Sequence, residues 1–230
     1  MRHKLVLFDI DGTLLKVEGV SRNALIDSLK SVYGTAGSAY THDFAGKLDS
    51  VIISEVMRAA GFSDEQIARG FQEVKQTYIQ LFKARVTAAH IKLMAGVVEL
   101  LQRLAQCKQV TLGLLTGNFE ESGRYKVALP NLNHYFPFGA FADDAQTRNE
   151  LPPIAVERAY AHTGRRFEGK DVVIIGDTPH DIACAKVLDS KSIAVATGFY
   201  TEAQLHAYSP DYVFSNLADT DAVLETILSP

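Results

Sequence analysis

The stretch KLVLFDIDGT, residues 4–13, decides the fold, because an apolar run ends there abruptly at two aspartates. Lys4–Phe8 predicts a short strand, and Asp9 and Asp11 follow it where the chain must turn. In open α/β sheets ligands bind beyond the carboxyl ends of the strands, so both carboxylates are expected to face a crevice. Two close carboxylates need either a cation or a proton on one of them. The alternative is a turn in which aspartate and glycine serve only backbone geometry.

Similar apolar runs recur along the chain and alternate with helical patterns. Continuous apolar strands of this kind are typical of a parallel sheet that is buried on both faces. The predicted strands are Val110–Thr116, Val172–Gly176, Ser192–Ala196 and Tyr212–Phe214, with Gly139–Ala142 as a weaker candidate. Val97, Leu100, Leu101 and Leu104 would share one face of a helix, as would a second set near the end of the chain. The alternation predicts an α/β fold with a Rossmann-like, doubly wound parallel sheet.

One long stretch interrupts this alternation. Between Lys16 and Thr87 the sequence shows amphipathic helical patterns and no convincing strand. Ser63 and Gln66 have the spacing of a capping box in front of one of these patterns. We therefore expect an all-helical insert at residues 16–87 and a core formed by residues 1–15 and 88–230. The alternative is that these helices simply flank the sheet.

Composition narrows the class of protein. The chain has 230 residues, of which 47% are hydrophobic and 22% charged, as in ordinary globular proteins. No apolar run approaches the roughly 20 residues of a membrane span, and aspartates interrupt the N-terminal one, which argues against a signal peptide. Two distant cysteines and a net charge of -4 favour a reducing cytoplasm and argue against a nucleic-acid partner. We expect a cytoplasmic protein that is a monomer or a homodimer.

Two further strand ends carry polar groups. Thr116, Gly117 and Asn118 follow one strand, and the next helix, expected near Phe119, would direct N–H donors at an anion. The sequence GDTPHD, residues 176–181, follows another strand and adds Asp177 and Asp181, the second of which could equally be a helix N-cap. Oxygen ligands without a cysteine cluster suit a hard cation, above all Mg²⁺.

These motifs, in this order and over nearly the whole chain, resemble the haloacid dehalogenase superfamily of phosphohydrolases. The chain also resembles the subgroup of phosphoglycolate phosphatases and beta-phosphoglucomutases, and the predicted helical insert is similar to the C1 cap of the superfamily. The resemblance implies that Asp9 is a nucleophile that forms an aspartyl-phosphate and that Asp11 is the general acid and base. The implied ligands of Mg²⁺ are Asp9, the backbone carbonyl of Asp11, Asp177 and Asp181, the last of which would either bind the metal or orient a water that does.

The same resemblance implies a phosphate-binding set and a small phosphorylated metabolite as the substrate. Thr116 and Arg148 would act on the phosphate in catalysis, and the other expected phosphate or substrate contacts are Gly12, Gly117, Asn118 and Lys47. Arg148 is a departure, because the family usually has a lysine just before a proline-containing helix start. Arginine can replace that charge with a forked donor, and Lys126 is the alternative.

Three other functions stay open at this stage. A sugar phosphomutase shares the same motifs but returns the phosphoryl group to a sugar. A phosphonatase would use a lysine of the insert, such as Lys47, although such enzymes lack an acid at the position of Asp11. A non-catalytic binding module would keep the fold alone, and the intact pair Asp9 and Asp11 argues against it.

Overall fold

A central sheet of six parallel strands organises the computed structural model, which describes residues 2–230. In chain order its strands are β1 (Lys4–Phe8), β4 (Val110–Leu115), β5 (Gly139–Ala140), β6 (Val172–Gly176), β7 (Lys191–Val195) and β8 (Tyr212–Phe214). Their spatial order is β5-β4-β1-β6-β7-β8. Strand β1 therefore lies in the interior of the sheet between β4 and β6. Asp9 follows Phe8 directly at the carboxyl end of β1.

Both faces of the sheet are covered, as a doubly wound fold requires. Leu5 and Leu7 of β1 pack into one apolar cluster, and Val6 and Phe8 pack into another on the opposite face. The helices of the core are α4 (Val97–Gln106), α5 (Glu120–Ala128), α6 (Leu151–Thr163), α7 (Pro179–Val187), α8 (Glu202–His206) and α9 (Thr220–Leu228). The α/β fold that the sequence predicts is confirmed.

Three helices fill most of the stretch that was expected to be a helical insert. They are α1 (Val20–Tyr33), α2 (Asp49–Ala59) and α3 (Asp64–Arg85), and α3 begins with the predicted capping box of Ser63 and Gln66. Their buried side chains join the cluster that contains Leu5 and Leu7. The division into residues 16–87 and the rest of the chain remains a prediction.

The expectation that no strand lies between Lys16 and Thr87 is wrong at the start of that stretch. Strand β2 (Leu15–Val17) pairs antiparallel with β3 (Ile91–Leu93), so a two-stranded ribbon connects the two ends of the helical stretch. Each strand has three residues, which is too short for an alternating pattern to show in the sequence. Within residues 2–230, no helix combines the length and the apolar character that a membrane crossing needs.

Candidate active site

Three buried carboxylates meet at the carboxyl end of the sheet. Asp9 follows β1, Asp177 follows β6 and Asp181 lies in the first turn of α7, and one oxygen of each lies within 4.8 Å of the others. Burial raises the pKa of Asp9, opposed by the charge of Arg148, and burial with the neighbouring carboxylates holds the pKa of Asp177 well above its ordinary value. Such a cluster disfavours its own negative charge, so its donor set fits a bound divalent cation.

Asp181 divides its two oxygens between a helix cap and an arginine. Its Oδ2 accepts hydrogen bonds from the Thr178 backbone N–H at 3.0 Å and from the Thr178 hydroxyl at 2.7 Å. Thr178 is the N-cap of α7, so the expectation that Asp181 itself could be the N-cap is wrong. Asp181 is instead the N3 partner in a capping box. This fixes its Oδ1 toward the Arg148 guanidinium.

Arg148 joins the acidic cluster to the helical stretch. Its NH2 lies 3.2 Å from Asp9 Oδ1 and also contacts Asp181 Oδ1, while NH1 donates to the Gly46 carbonyl at 2.9 Å. The residue is only 7% exposed, and within residues 2–230 its buried Nε has no hydrogen-bond partner. Of the two cations considered for this position, Arg148 is therefore the one at Asp9. Lys126 lies elsewhere in the site.

Asp11 is set apart from the acidic cluster. Lys126 Nζ lies 2.9 Å from its Oδ1 and 2.7 Å from its Oδ2, and the Asn118 side-chain amide donates to Oδ2 at 2.8 Å. The structure thus brings three of the four expected metal ligands together through their side chains. The backbone carbonyl of Asp11, the atom expected to bind the metal, remains a prediction.

The loop after β4 links Asp11 to the helical stretch. Asn118 donates to Thr116 Oγ1 at 2.8 Å, so its amide already has partners within the protein. A Cβ on Gly117 would lie 2.1 Å from the Lys47 carbonyl oxygen, so glycine is what allows this close approach. Thr116 is fully buried at the end of β4. The predicted contacts of Thr116, Gly117 and Asn118 with phosphate stay predictions.

The close approach of Gly12 to Asp177 requires glycine at this position. The φ of Gly12 is +86°, and a Cβ there would lie 2.3 Å from Asp177 Oδ2. The glycine therefore lets the turn after β1 pass over a carboxylate of the acidic cluster. Its expected contact with phosphate remains a prediction beside this packing role.

A cavity of about 510 Å³ lies between the strand ends and the helical stretch. Asp9, Asp11 and Arg148 line it, together with apolar side chains that include Leu25, Phe44 and Ile52. Lys47 also lines it, but its Nζ lies 2.6 Å from Glu55 Oε2 and 3.2 Å from His42 Nε2. The predicted substrate lysine is thus at the cavity, and its ammonium is held by partners from the helical stretch.

Sequence reasoning missed Asp49, which fastens α2 to the loop after β4. Its backbone N–H donates to the Gly117 carbonyl at 2.7 Å, and its Oδ2 accepts from the Phe119 backbone N–H at 2.9 Å. Phe119 is the N-cap of α5 and its own side chain caps nothing. Asp49 therefore caps a helix that lies far away in the sequence. Burial raises its pKa from 3.8 to about 6, against the opposing charge of Lys126.

Asp49→Asn is expected to stabilise the protein above pH 6 and to have little effect below pH 4. A carboxyl whose pKa is raised in the folded state destabilises that state as pH rises from 3.8 to about 6. Asparagine keeps the acceptor for the Phe119 N–H and removes the charge. The expected gain is on the order of 1–3 kcal/mol, since one pKa unit corresponds to about 1.4 kcal/mol.

Thermal denaturation of both proteins from pH 4 to pH 8 measures this difference. The matched control is Asp43→Asn, which changes an exposed carboxyl of a nearby loop and should leave the melting temperature nearly unchanged. A melting-temperature difference for Asp49→Asn that does not depend on pH would contradict the assignment.

Comparison with known proteins gives a consistent result. The model of one protein family, described as haloacid dehalogenase-like hydrolase, matches residues 6–195. The pyrophosphatase PpaX of Bacillus mycoides is 22% identical over 99% of both chains. Phosphoglycolate phosphatase 1 of Pseudomonas aeruginosa is 26% identical and is matched over 94% of this chain and 78% of its own.

Solved structures show that the fold is shared. A hydrolase from Pseudomonas syringae superposes with a TM-score of 0.74 at 19% identity, covering 99% of this chain and 100% of its own. A beta-phosphoglucomutase from Clostridium difficile gives a TM-score of 0.73 at 15% identity, covering 99% and 97%. The family model that matches residues 6–195 confirms the resemblance to this superfamily that the motifs indicate.

Proposed function

The chain belongs to the haloacid dehalogenase-like hydrolases, and we propose that it is a phosphatase that cleaves a small phosphomonoester through an aspartyl-phosphate on Asp9. One observation carries the proposal. Asp9 lies buried at the end of β1, lines the cavity, contacts Arg148 and shares an acidic cluster with Asp177 and Asp181. The similarity to a pyrophosphatase and to phosphoglycolate phosphatases supports the same chemistry.

The two aspartates of the first turn have separate tasks in this mechanism. An oxygen of Asp9 attacks phosphorus in line with the ester oxygen, and the phosphorus–oxygen bond to the leaving group breaks. Asp11 gives its proton to the departing oxygen, so an alcohol leaves. Asp11 then takes a proton from a water that attacks the aspartyl-phosphate, and inorganic phosphate and free Asp9 result. Asp9 lies beside Arg148 in the acidic cluster proposed to hold the metal, and Asp11 lies outside this cluster at the cavity, where a leaving group would be bound.

Positive charge and N–H donors meet the nonbridging oxygens of the phosphoryl group. Arg148 lines the cavity, and its guanidinium is the cation that we propose for these oxygens; within residues 2–230 its buried Nε has no hydrogen-bond partner. The Thr116 hydroxyl and the Gly117 N–H are the other donors that we propose for these oxygens. Preorganised donors of this kind stabilise the charge that spreads over the phosphoryl oxygens in the transition state.

Mg²⁺ is the cofactor that we propose for the acidic cluster. Asp9, Asp177 and Asp181 would hold it, with the backbone carbonyl of Asp11 as a further ligand. When bound, such a cation offsets the repulsion between an anionic nucleophile and an anionic phosphate.

Removal of the metal is expected to abolish hydrolysis of p-nitrophenyl phosphate. Chelator should stop turnover, Mg²⁺ should restore it, and Ca²⁺ should inhibit, because the larger ion takes more ligands at longer distances. The measurement is the steady-state rate in each ion, with a melting curve to show that the protein stays folded. Full activity in chelator would contradict the role of the three carboxylates.

The volume of the cavity indicates the size of the substrate and does not identify it. A volume of about 510 Å³ lies in the range of pockets that hold small metabolites. A panel of phosphate esters with Mg²⁺ tests the class, and no turnover on any member would favour a binding module. Product analysis with a hexose phosphate separates the two enzymatic outcomes: we expect free phosphate, and an isomeric sugar phosphate would show a phosphomutase.

A further inference from the structure

Lys126 is a buried lysine for which the mechanism above has no task. Its side chain is 3% exposed and lies on α5, next to the cavity. Its Nζ lies 2.9 Å and 2.7 Å from the two Asp11 oxygens and 2.6 Å from Asn118 Oδ1. An ammonium group has three N–H bonds, so contacts within the protein can use all of them.

Asn118 completes a small network around the same carboxylate. Its amide nitrogen lies 2.8 Å from Asp11 Oδ2 and 2.8 Å from Thr116 Oγ1, while its amide oxygen faces Lys126. The Asp11 side chain is 43% exposed and lines the cavity. The Asp11 carboxylate is therefore held by Lys126 and Asn118 on one side and is exposed to the cavity on the other.

Two simpler roles for Lys126 fit these contacts less well. Direct binding of substrate phosphate would need at least one free N–H group, and Asp11 and Asn118 already engage this ammonium. A contribution to stability alone is also a weak explanation, since the cost of desolvating the buried ammonium offsets much of its attraction to the half-exposed carboxylate of Asp11. What the contacts fix is the orientation of one carboxylate.

We propose that Lys126 is a positioning residue, which orients the Asp11 carboxylate so that its proton reaches the leaving oxygen. The inference rests on the proposed function, because it assigns Lys126 a part in the acid step of that reaction. Misplacement of a catalytic group by a fraction of an ångström is costly when proton transfer needs hydrogen-bond distance. Lys126 would thus matter most where the leaving group needs a proton.

The test compares two esters in single-turnover formation of the phosphoenzyme. A poor alkyl leaving group needs the acid, and p-nitrophenolate departs without it. Lys126→Met keeps most of the unbranched side chain and removes the ammonium group with its charge. It should slow the alkyl ester by about 10–100-fold, part of the 10²–10⁴-fold that a general acid contributes, and the aryl ester much less.

A double variant separates positioning from every other role. If Lys126 acts only through Asp11, Asp11→Asn combined with Lys126→Met should be no slower on the alkyl ester than Asp11→Asn alone. The matched control is Lys83→Met, which removes a lysine of α3 that pairs with Glu121 at the surface of α5. It should change neither rate.

Three results would overturn the inference. Equal losses on both esters, or losses that multiply in the double variant, would place Lys126 at the phosphate or in the fold. If Lys126→Met does not fold, Lys126→Arg is measured instead: selective loss on the alkyl ester supports positioning, and unchanged selectivity contradicts it. A wild-type protein that turns over neither ester with Mg²⁺ contradicts the proposed function itself, whereas an active wild type with an unselective Lys126 variant contradicts the inference alone.

Discussion

Asp9→Asn is expected to lower the turnover of p-nitrophenyl phosphate by about 10⁴-fold or more, the scale seen when a covalent nucleophile is removed. The amide cannot form the aspartyl-phosphate, and no other described carboxylate occupies its place at the end of β1. Because burial raises the pKa of Asp9, removing its charge should not destabilise the metal-free protein near neutral pH. The measurements are steady-state kinetics with Mg²⁺ and a melting curve in chelator.

The control for this variant is Asp221→Asn, which changes a carboxyl with 87% of its side chain exposed in the first turn of α9. It should keep wild-type turnover. A folded Asp9→Asn protein that retains more than a trace of activity would show that Asp9 is not the nucleophile.

Arg148→Ala is expected to cost about 10²–10⁴-fold in kcat/KM, on aryl and alkyl esters alike. The change removes the cation beside Asp9 and Asp181 and the donor to the Gly46 carbonyl, and it leaves buried carboxylates without their partner. Arg148→Lys should recover part of the loss, because the charge returns without the fork.

Steady-state kinetics on both esters measures this effect. Arg58→Ala, which removes an exposed arginine paired with Asp64, is the control and should be neutral. The expected pattern differs from that of Lys126→Met, whose loss depends on the leaving group. A near-neutral Arg148→Ala together with a severe, unselective loss at Lys126 would show that the two cations have exchanged roles.

The parts of the fold that the sequence predicts well are the parts buried on both sides. Apart from Lys4 and Gly176 at their ends, the residues of β1 and β6 are apolar because each faces a core, and the predicted bounds of both strands match the structure. Strand β7 instead begins at Lys191, one residue earlier than predicted. This lysine is buried, and its Nζ reaches the carbonyl oxygens of Thr226 and Ser229, a pairing that the sequence does not reveal.

The residues of the candidate site also differ in how well the sequence predicts their positions. Asp9 and Asp177 follow apolar strands directly, so their strand ends predict where they meet. Lys126 and Asp49 belong to helices, and their contacts with Asp11 and the Phe119 N–H depend on how α5 and α2 pack. A lysine within a short helix resembles any surface lysine in the sequence. Tertiary packing, which local pattern does not encode, decides that it is buried.

Chemical trapping of the intermediate tests the central claim most directly. The protein is mixed with a phosphomonoester and Mg²⁺, quenched during turnover and treated with borohydride, which reduces an aspartyl-phosphate to homoserine. Asp11→Asn is run in parallel, because loss of the base should slow hydrolysis of the intermediate and let it accumulate. Peptide mass spectrometry should find homoserine at position 9 in both proteins and in neither when substrate is omitted. Rapid turnover with residue 9 unmodified in both proteins, or homoserine at another aspartate, would contradict the account.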